Sequence, residues 1–195
     1  SGGKLTGNTS GDGGAVYLNQ EPSTLNMTGG EISGNTATGS GGGVYIYRSG
    51  SVCNLSNGTI SGNTAVGNGG GIYVNPSNNG QLKLGGVPVV TGNTVAGKEN
   101  NVYLPSGKKL TISGAMSSGA SVGVTTANTS YPVAFSNAYA ADYTDYFASD
   151  DASAHVEYWD DQRLYLVSGP STKEYSVTVV TVGNGTASAS PASAP

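Results

Sequence analysis

The 195-residue chain has one cysteine, one histidine, one tryptophan and two phenylalanines. A single cysteine, Cys53, excludes an internal disulfide framework and a multi-cysteine metal centre. Lysine and arginine total 8 against 12 acids, for a formal charge of −4, so no basic stripe exists and no nucleic-acid partner is expected. No stretch approaches the roughly 20 consecutive apolar residues of a spanning helix, and no membrane insertion is expected of this segment. Proline is only 8, and glycine does not recur at every third position, which excludes collagen. Charged residues make up 10% against 36% apolar, a poor match to a chain kept open by charge.

What is abundant is small and polar. Glycine (32), serine (25), threonine (19) and asparagine (17) fill 93 of the 195 positions. Glycine costs about 1 kcal/mol at each interior helix site and the other three are mediocre there, so an α-helical domain is disfavoured.

Four copies of one pattern explain the composition. LTGNTSGDGGAVYL starts at Leu5, ISGNTATGSGGGVYI at Ile32, ISGNTAVGNGGGIYV at Ile60 and VTGNTVAGKENNVYL at Val90. Asn8, Asn35, Asn63 and Asn93 are spaced 27, 28 and 30 residues apart, and Tyr17, Tyr45, Tyr73 and Tyr103 are spaced 28, 28 and 30. Each period holds three apolar patches: Leu25 and Met27, then Ile32, then Val44 and Ile46, with equivalents in the other copies. Strands of roughly 3 to 5 residues cannot pack alone, but stacked about 4.8 Å apart in parallel they bury one continuous core. The pattern therefore predicts an all-β, single-stranded parallel β-helix with three short strands per ~28-residue coil. Asn35, Asn63 and Asn93 are placed to stack as an amide ladder. Gly41 to Gly43 and Gly69 to Gly71 would supply the positive φ of tight corners.

The alternation of SGNT with GGGVYI resembles the repeats of bacterial surface right-handed β-helix proteins and is similar to the GGA(I/V) and FxxN repeats of polymorphic outer-membrane proteins. It covers about residues 2 to 112. The resemblance implies a right-handed coil sense, in line with the general handedness of parallel crossovers. It also implies an adhesin-like role at a bacterial surface or in the secreted space.

Three regions are expected: coils over 1–113, a last coil with an aromatic β-hairpin cap over 114–168, and a linker leading into another β module over 169–195. The cap reading rests on Tyr139, Tyr143, Tyr146, Phe147, Tyr158, Trp159 and Tyr165, and on the alternating runs of HVEYWDDQRLYLV. YSVTVVTVGNGT resembles the opening of internalin-B-type repeats. The chain starts within a repeat, so further coils are expected upstream.

The chemistry is sparse. A glycosidase needs two carboxylates ~5 to 9.5 Å apart, and the coil acids Asp12, Glu21, Glu31 and Glu99 do not recur in register. No catalytic residue, cofactor or metal ligand is expected, and the chain is read as a non-enzyme. A fragment of a carbohydrate-active β-helix enzyme is the alternative. Seven acids between Asp142 and Asp161 fit either solvated turns or a calcium site. Cys53 shares its register with Leu25 and Leu82 and reads as a small buried apolar residue. His155 lacks a nearby nucleophile motif, and the glycine runs lack the Lys-Ser/Thr of a phosphate loop. Thr9, Thr36, Thr64 and Thr94 align too, but without the regular TxT of a flat ice-binding array.

The strongest ligand candidates are Tyr17, Tyr45, Tyr47, Tyr73 and Tyr103. With Val44 and Ile46 facing inward, these rings are expected to face solvent. They could stack on sugars or anchor a host surface protein, or they could stack on one another and hide their faces. The functional expectation is a rigid extracellular stalk or display platform whose partner is a glycan or a host surface protein.

Overall fold

Every coil repeats the same compromise between apolar stripes and corners that only small residues can turn. The structure, a computed structural model, describes residues 2–171. It is a parallel β-solenoid of the right-handed type with about five turns, and the described residues contain no α-helix.

Three strands build each coil, though not the three that the apolar patches outline. The first two patches fuse into one long strand: Thr24–Ser33, Val52–Ser61 and Gln81–Thr91 in successive coils. The joint is a register shift, at Leu84/Val87 in the third of these, where Gly86 takes a φ of 64°. Glycine bends the strand there without breaking its pairing. The remaining strands are a two-residue pair such as Thr36–Ala37 and a three-residue run such as Val44–Ile46.

Stacking follows the repeat residue for residue. Leu5, Ile32, Ile60, Val90 and Val122 form one column, and Val16, Val44, Ile72, Val102 and Val124 another. Leu25, Cys53 and Leu82 are paired neighbours, and Cys53 is wholly buried, as its register predicts. Its surroundings push the thiol up to about 12 by desolvation.

The glycine corners solve two different problems. Gly41 has a φ of 70°, the left-handed geometry expected of a corner. Gly42 does not; a Cβ there would lie 2.3 Å from the Gly70 carbonyl oxygen of the next coil. Its role is to let two backbones approach.

The asparagine ladder runs through the buried corner beside these glycines. Asn35 Nδ2 donates to Asn63 Oδ1 at 2.8 Å, and Asn63 Nδ2 to Asn93 Oδ1 at 2.8 Å. Each backbone N–H donates to the same oxygen, as Asn35 N does to Asn63 Oδ1 at 3.0 Å. Nδ2 also donates to a carbonyl on the preceding coil, from Asn63 to Ile32 O at 2.9 Å. Buried amides are thus paired on every side, which removes the desolvation penalty of burying them.

Beyond the fourth coil the repeat ends but the stack continues. Ser121–Thr126 pairs with the long strand at Val90↔Val122 and with the three-residue strand at Val102↔Val124, so one strand serves two columns. The ladder is finished out of period: Asn93 Nδ2 donates to Asn101 Oδ1 at 2.9 Å, and Asn101 Nδ2 to Asp150 Oδ1 at 2.7 Å. Gly123 makes room, since a Cβ on it would sit 2.3 Å from Asp150 Oδ1.

A hairpin of Ala154–Tyr158 and Leu164–Ser168, joined by Val133–Ala134, covers this end. Leu164, Leu166, Phe135 and Phe147 are buried in the same core as the coils, with the two phenylalanine rings edge to face at 5.5 Å. The expected module after the linker falls on residues 172–195, outside the described residues.

Candidate functional site

The tyrosine column occupies one outer face, where the period-two alternation places it. Tyr17, Tyr45, Tyr73 and Tyr103 are in register on adjacent coils. Tyr17 stacks on Tyr45 with centroids 5.2 Å apart, Tyr45 meets Tyr73 edge-on at 4.9 Å, and Tyr73 stacks on Tyr103 at 5.7 Å. Tyr47 closes the side by meeting Tyr17 and Tyr45 edge-on, each at 5.6 Å, with the Arg48 guanidinium over its ring.

One expectation is corrected here. Tyr45 was placed on the solvent side, but it is only 7% exposed. Outward orientation and exposure differ because the neighbouring rings cover it and Asn75 Nδ2 donates to its hydroxyl at 2.8 Å. Burial pushes the Tyr45 phenol up to about 12, more than the Asn75 bond lowers it. Tyr73 and Tyr17 are raised too, chiefly by desolvation. Tyr47, Tyr73 and Tyr103 are half-buried, while Tyr17 at 39% is the most open of the five. Ring separations of 4.9 to 5.7 Å leave no slot between coils for a sugar. The column offers edges and hydroxyls along its length rather than faces.

The acids separate in the same way. Asp12 Oδ1 accepts the Ser40 N–H of the next coil at 2.8 Å, which ties one coil to its neighbour. Glu31 is ion-paired with Lys4, and that partner together with Ser33 lowers its pKa. Asp142 and Asp151 accept the N–H groups two residues on, from Thr144 at 2.9 Å and Ser153 at 2.9 Å. Asp150 terminates the ladder. No group of three His, Cys, Asp or Glu side chains gathers among the described residues.

A second surface lies on HVEYWDDQRLYLV, whose aromatics the sequence reads as a cap and whose acids it reads as solvated turns or a calcium site. In the hairpin, Val156, Leu164 and Leu166 pack inward, so alternation sends His155, Glu157, Trp159 and Tyr165 outward. These four are linked. His155 Nε2 lies 2.9 Å from Glu157 Oε1, and Trp159 Nε1 donates to Glu157 Oε2 at 2.9 Å. Trp159 stacks on Tyr165 at 4.1 Å with 17° between planes, and Tyr165 Oη donates to Asp161 Oδ2 at 2.7 Å. The bond to Trp159, then that to His155, holds the Glu157 carboxyl below its ordinary range, and Tyr165 does the same for Asp161. The signal was available: period-two spacing through 155, 157 and 159 puts the sole tryptophan on the outer face.

The sequence pattern of a family described as periplasmic copper-binding protein (NosD) matches residues 25–155, more than half of the chain. No curated protein and no solved structure matches it.

Proposed function

From the premise that the chain belongs to the NosD family, we propose that it is a non-catalytic module of the cell envelope or the extracellular space, a rigid platform that displays a recognition surface. The periplasmic description of the family supports an envelope or extracellular location. The observation that carries the reading is the pair of columns, asparagine inside and tyrosine outside, running through successive coils, while the one ion pair among the described coil residues is the exposed Lys4–Glu31 contact. Ladders of this kind stiffen a solenoid along its axis, whereas catalysis needs charged groups that converge across adjacent coils. A glycan or a host surface protein is the partner this reading assigns.

Copper, which the family description names, does not fit the donors of this chain. Copper takes imidazole, thiolate or thioether ligands. Cys53 is sealed in the core with its thiol pushed up to about 12, and Met27 and Met116 are buried. Both His155 ring nitrogens are engaged, Nδ1 with Gly169 O at 2.7 Å and Nε2 with Glu157. No step of the proposal passes through a metal.

The test is to incubate the full chain with a glycan array and, separately, with soluble uronate and neutral polysaccharides, following reducing ends and unsaturated products. Binding without turnover is expected. Release of product would replace the platform reading with that of a carbohydrate-active β-helix enzyme.

A further inference from the structure

We propose that the outward face of the 154–168 hairpin is a binding site for a neutral pyranose sugar, with the Trp159 ring as its platform and Asp160 and Asp161 as acceptors for its hydroxyls. This rests on the platform reading and supplies the recognition surface that the tyrosine column does not.

The geometry points there for three reasons. First, Trp159 is 37% exposed although one of its faces is covered by Tyr165. The stacked pair borders an open depression of about 450 Å³ lined by Tyr158, Trp159, Asp160, Asp161 and Tyr165. Second, the ring is already fixed. Its Nε1–H is held by Glu157, Glu157 by His155 and His155 by the Gly169 carbonyl, while Tyr165 backs it and is itself held by Asp161. A preordered aromatic loses little conformational freedom on binding. Third, one carboxylate on the rim is engaged by no other described residue. Asp160 is exposed and has no hydrogen-bond or ion-pair partner among the described residues, while Asp161 bonds Arg163 Nη1 at 2.8 Å.

These features select the ligand. The π face of the indole is negative, and the axial C–H face of a pyranose is positive and apolar, so the two stack flat. Carboxylates at the edge of that platform accept sugar hydroxyls, in bonds stronger than neutral ones. A quaternary ammonium favours a cage of several rings, yet here two parallel rings present a single face. Uronic and other acidic sugars meet Asp160, Asp161 and Glu157 and are repelled.

Trp159 is the sole tryptophan, so its fluorescence reports on this surface alone. The full chain is titrated with maltotetraose, cellotetraose, chitotetraose, tetragalacturonate and choline, with calorimetry in parallel. A saturable blue shift with at least one neutral tetrasaccharide is expected, and none with tetragalacturonate or choline. Trp159→Ala should weaken calorimetric binding by about tenfold or more, and Asp160→Asn by about threefold. Trp159→Tyr retains a platform and should bind within a few-fold of wild type, which separates loss of the ring from loss of the hairpin. Neutral glycan binding that survives Trp159→Ala overturns this site and leaves the platform reading standing. A choline response without a sugar response overturns it in favour of a cation site. No response to any saccharide also overturns it, and the platform reading then stands on a protein partner. Cleavage of the sugar overturns the platform reading itself.

Discussion

The asparagine column and the tyrosine column share one period and lie on the same coils, yet they hold the molecule in different ways. Inside, each amide donates to one neighbour and accepts from the other, and Asn35, Asn63 and Asn93 are fully buried. Outside, ring contacts alternate between stacked and edge-on, and burial varies from coil to coil. A hydrogen-bonded column has no partial state: a missing rung strands donors on the next coil. A column of rings loses only the area and contacts of the ring removed.

Substitution should expose that difference. Asn63→Leu leaves the Asn35 N–H without its acceptor, takes one of three acceptors from Asn35 Nδ2 and removes the Asn63 donations to Asn93 and Ile32, and should cost about 3 to 5 kcal/mol in urea unfolding. A loss under about 1 kcal/mol would mean that the ladder is ornamental. Asp150→Ala strands the Asn101 N–H and Nδ2, which it accepts at 2.7 Å each, at a partly exposed end, for about 2 kcal/mol. Gly123→Ala, which pushes a Cβ against the same pair, should reproduce much of that loss.

On the tyrosine side, Tyr45→Ala should cost about 2 kcal/mol and Tyr103→Ala less than about 1, because only Tyr45 is covered on several sides. Equal losses from the two would show that neighbouring rings do not protect Tyr45. The smallest effect is expected in the hairpin. Glu157 has a lowered pKa in the folded state, so the stability it contributes is present above the ordinary carboxylate range and is lost as pH falls through the lowered value. Trp159 emission should therefore change over that acidic window, and Glu157→Gln should abolish the change. A transition that persists in the variant would assign it to another carboxylate.

How much of this could be read from residues alone depends on whether a feature repeats. The coil, its columns and the Asn35–Asn63–Asn93 ladder follow from copies at equal spacing, because a stacked repeat must pair with itself. Asn101 and Asp150 complete the same ladder but lie 8 and 49 residues from their partners, so no period announces them. The fused long strand was hidden for a different reason. Glycine looks like a stop in a sequence, but here it bends a strand whose pairing continues. Alternation located Tyr45 on the outer face but could not show that Tyr47, two residues on, would turn its ring onto it, or that Asn75 of the next coil would cap its hydroxyl. The Trp159 surface lies in the non-repeating end, where single residues carry the meaning.

The amides of the ladder all point one way, so their dipoles add along the solenoid axis. In the amide-to-amide bonds the donor hydrogens face the Asp150 end and the carbonyl oxygens face the other, which makes the end at Asp150 the positive pole of this column. A carboxylate there stands to this column as an anion stands to the first turn of an α-helix. It accepts two N–H groups from Asn101 and a hydroxyl from Thr125, and it has no hydrogen to hand on. Polarity is therefore terminated by chemistry rather than by length. Coils could be inserted or removed below Asn101 while the same ending still matched the pole it meets.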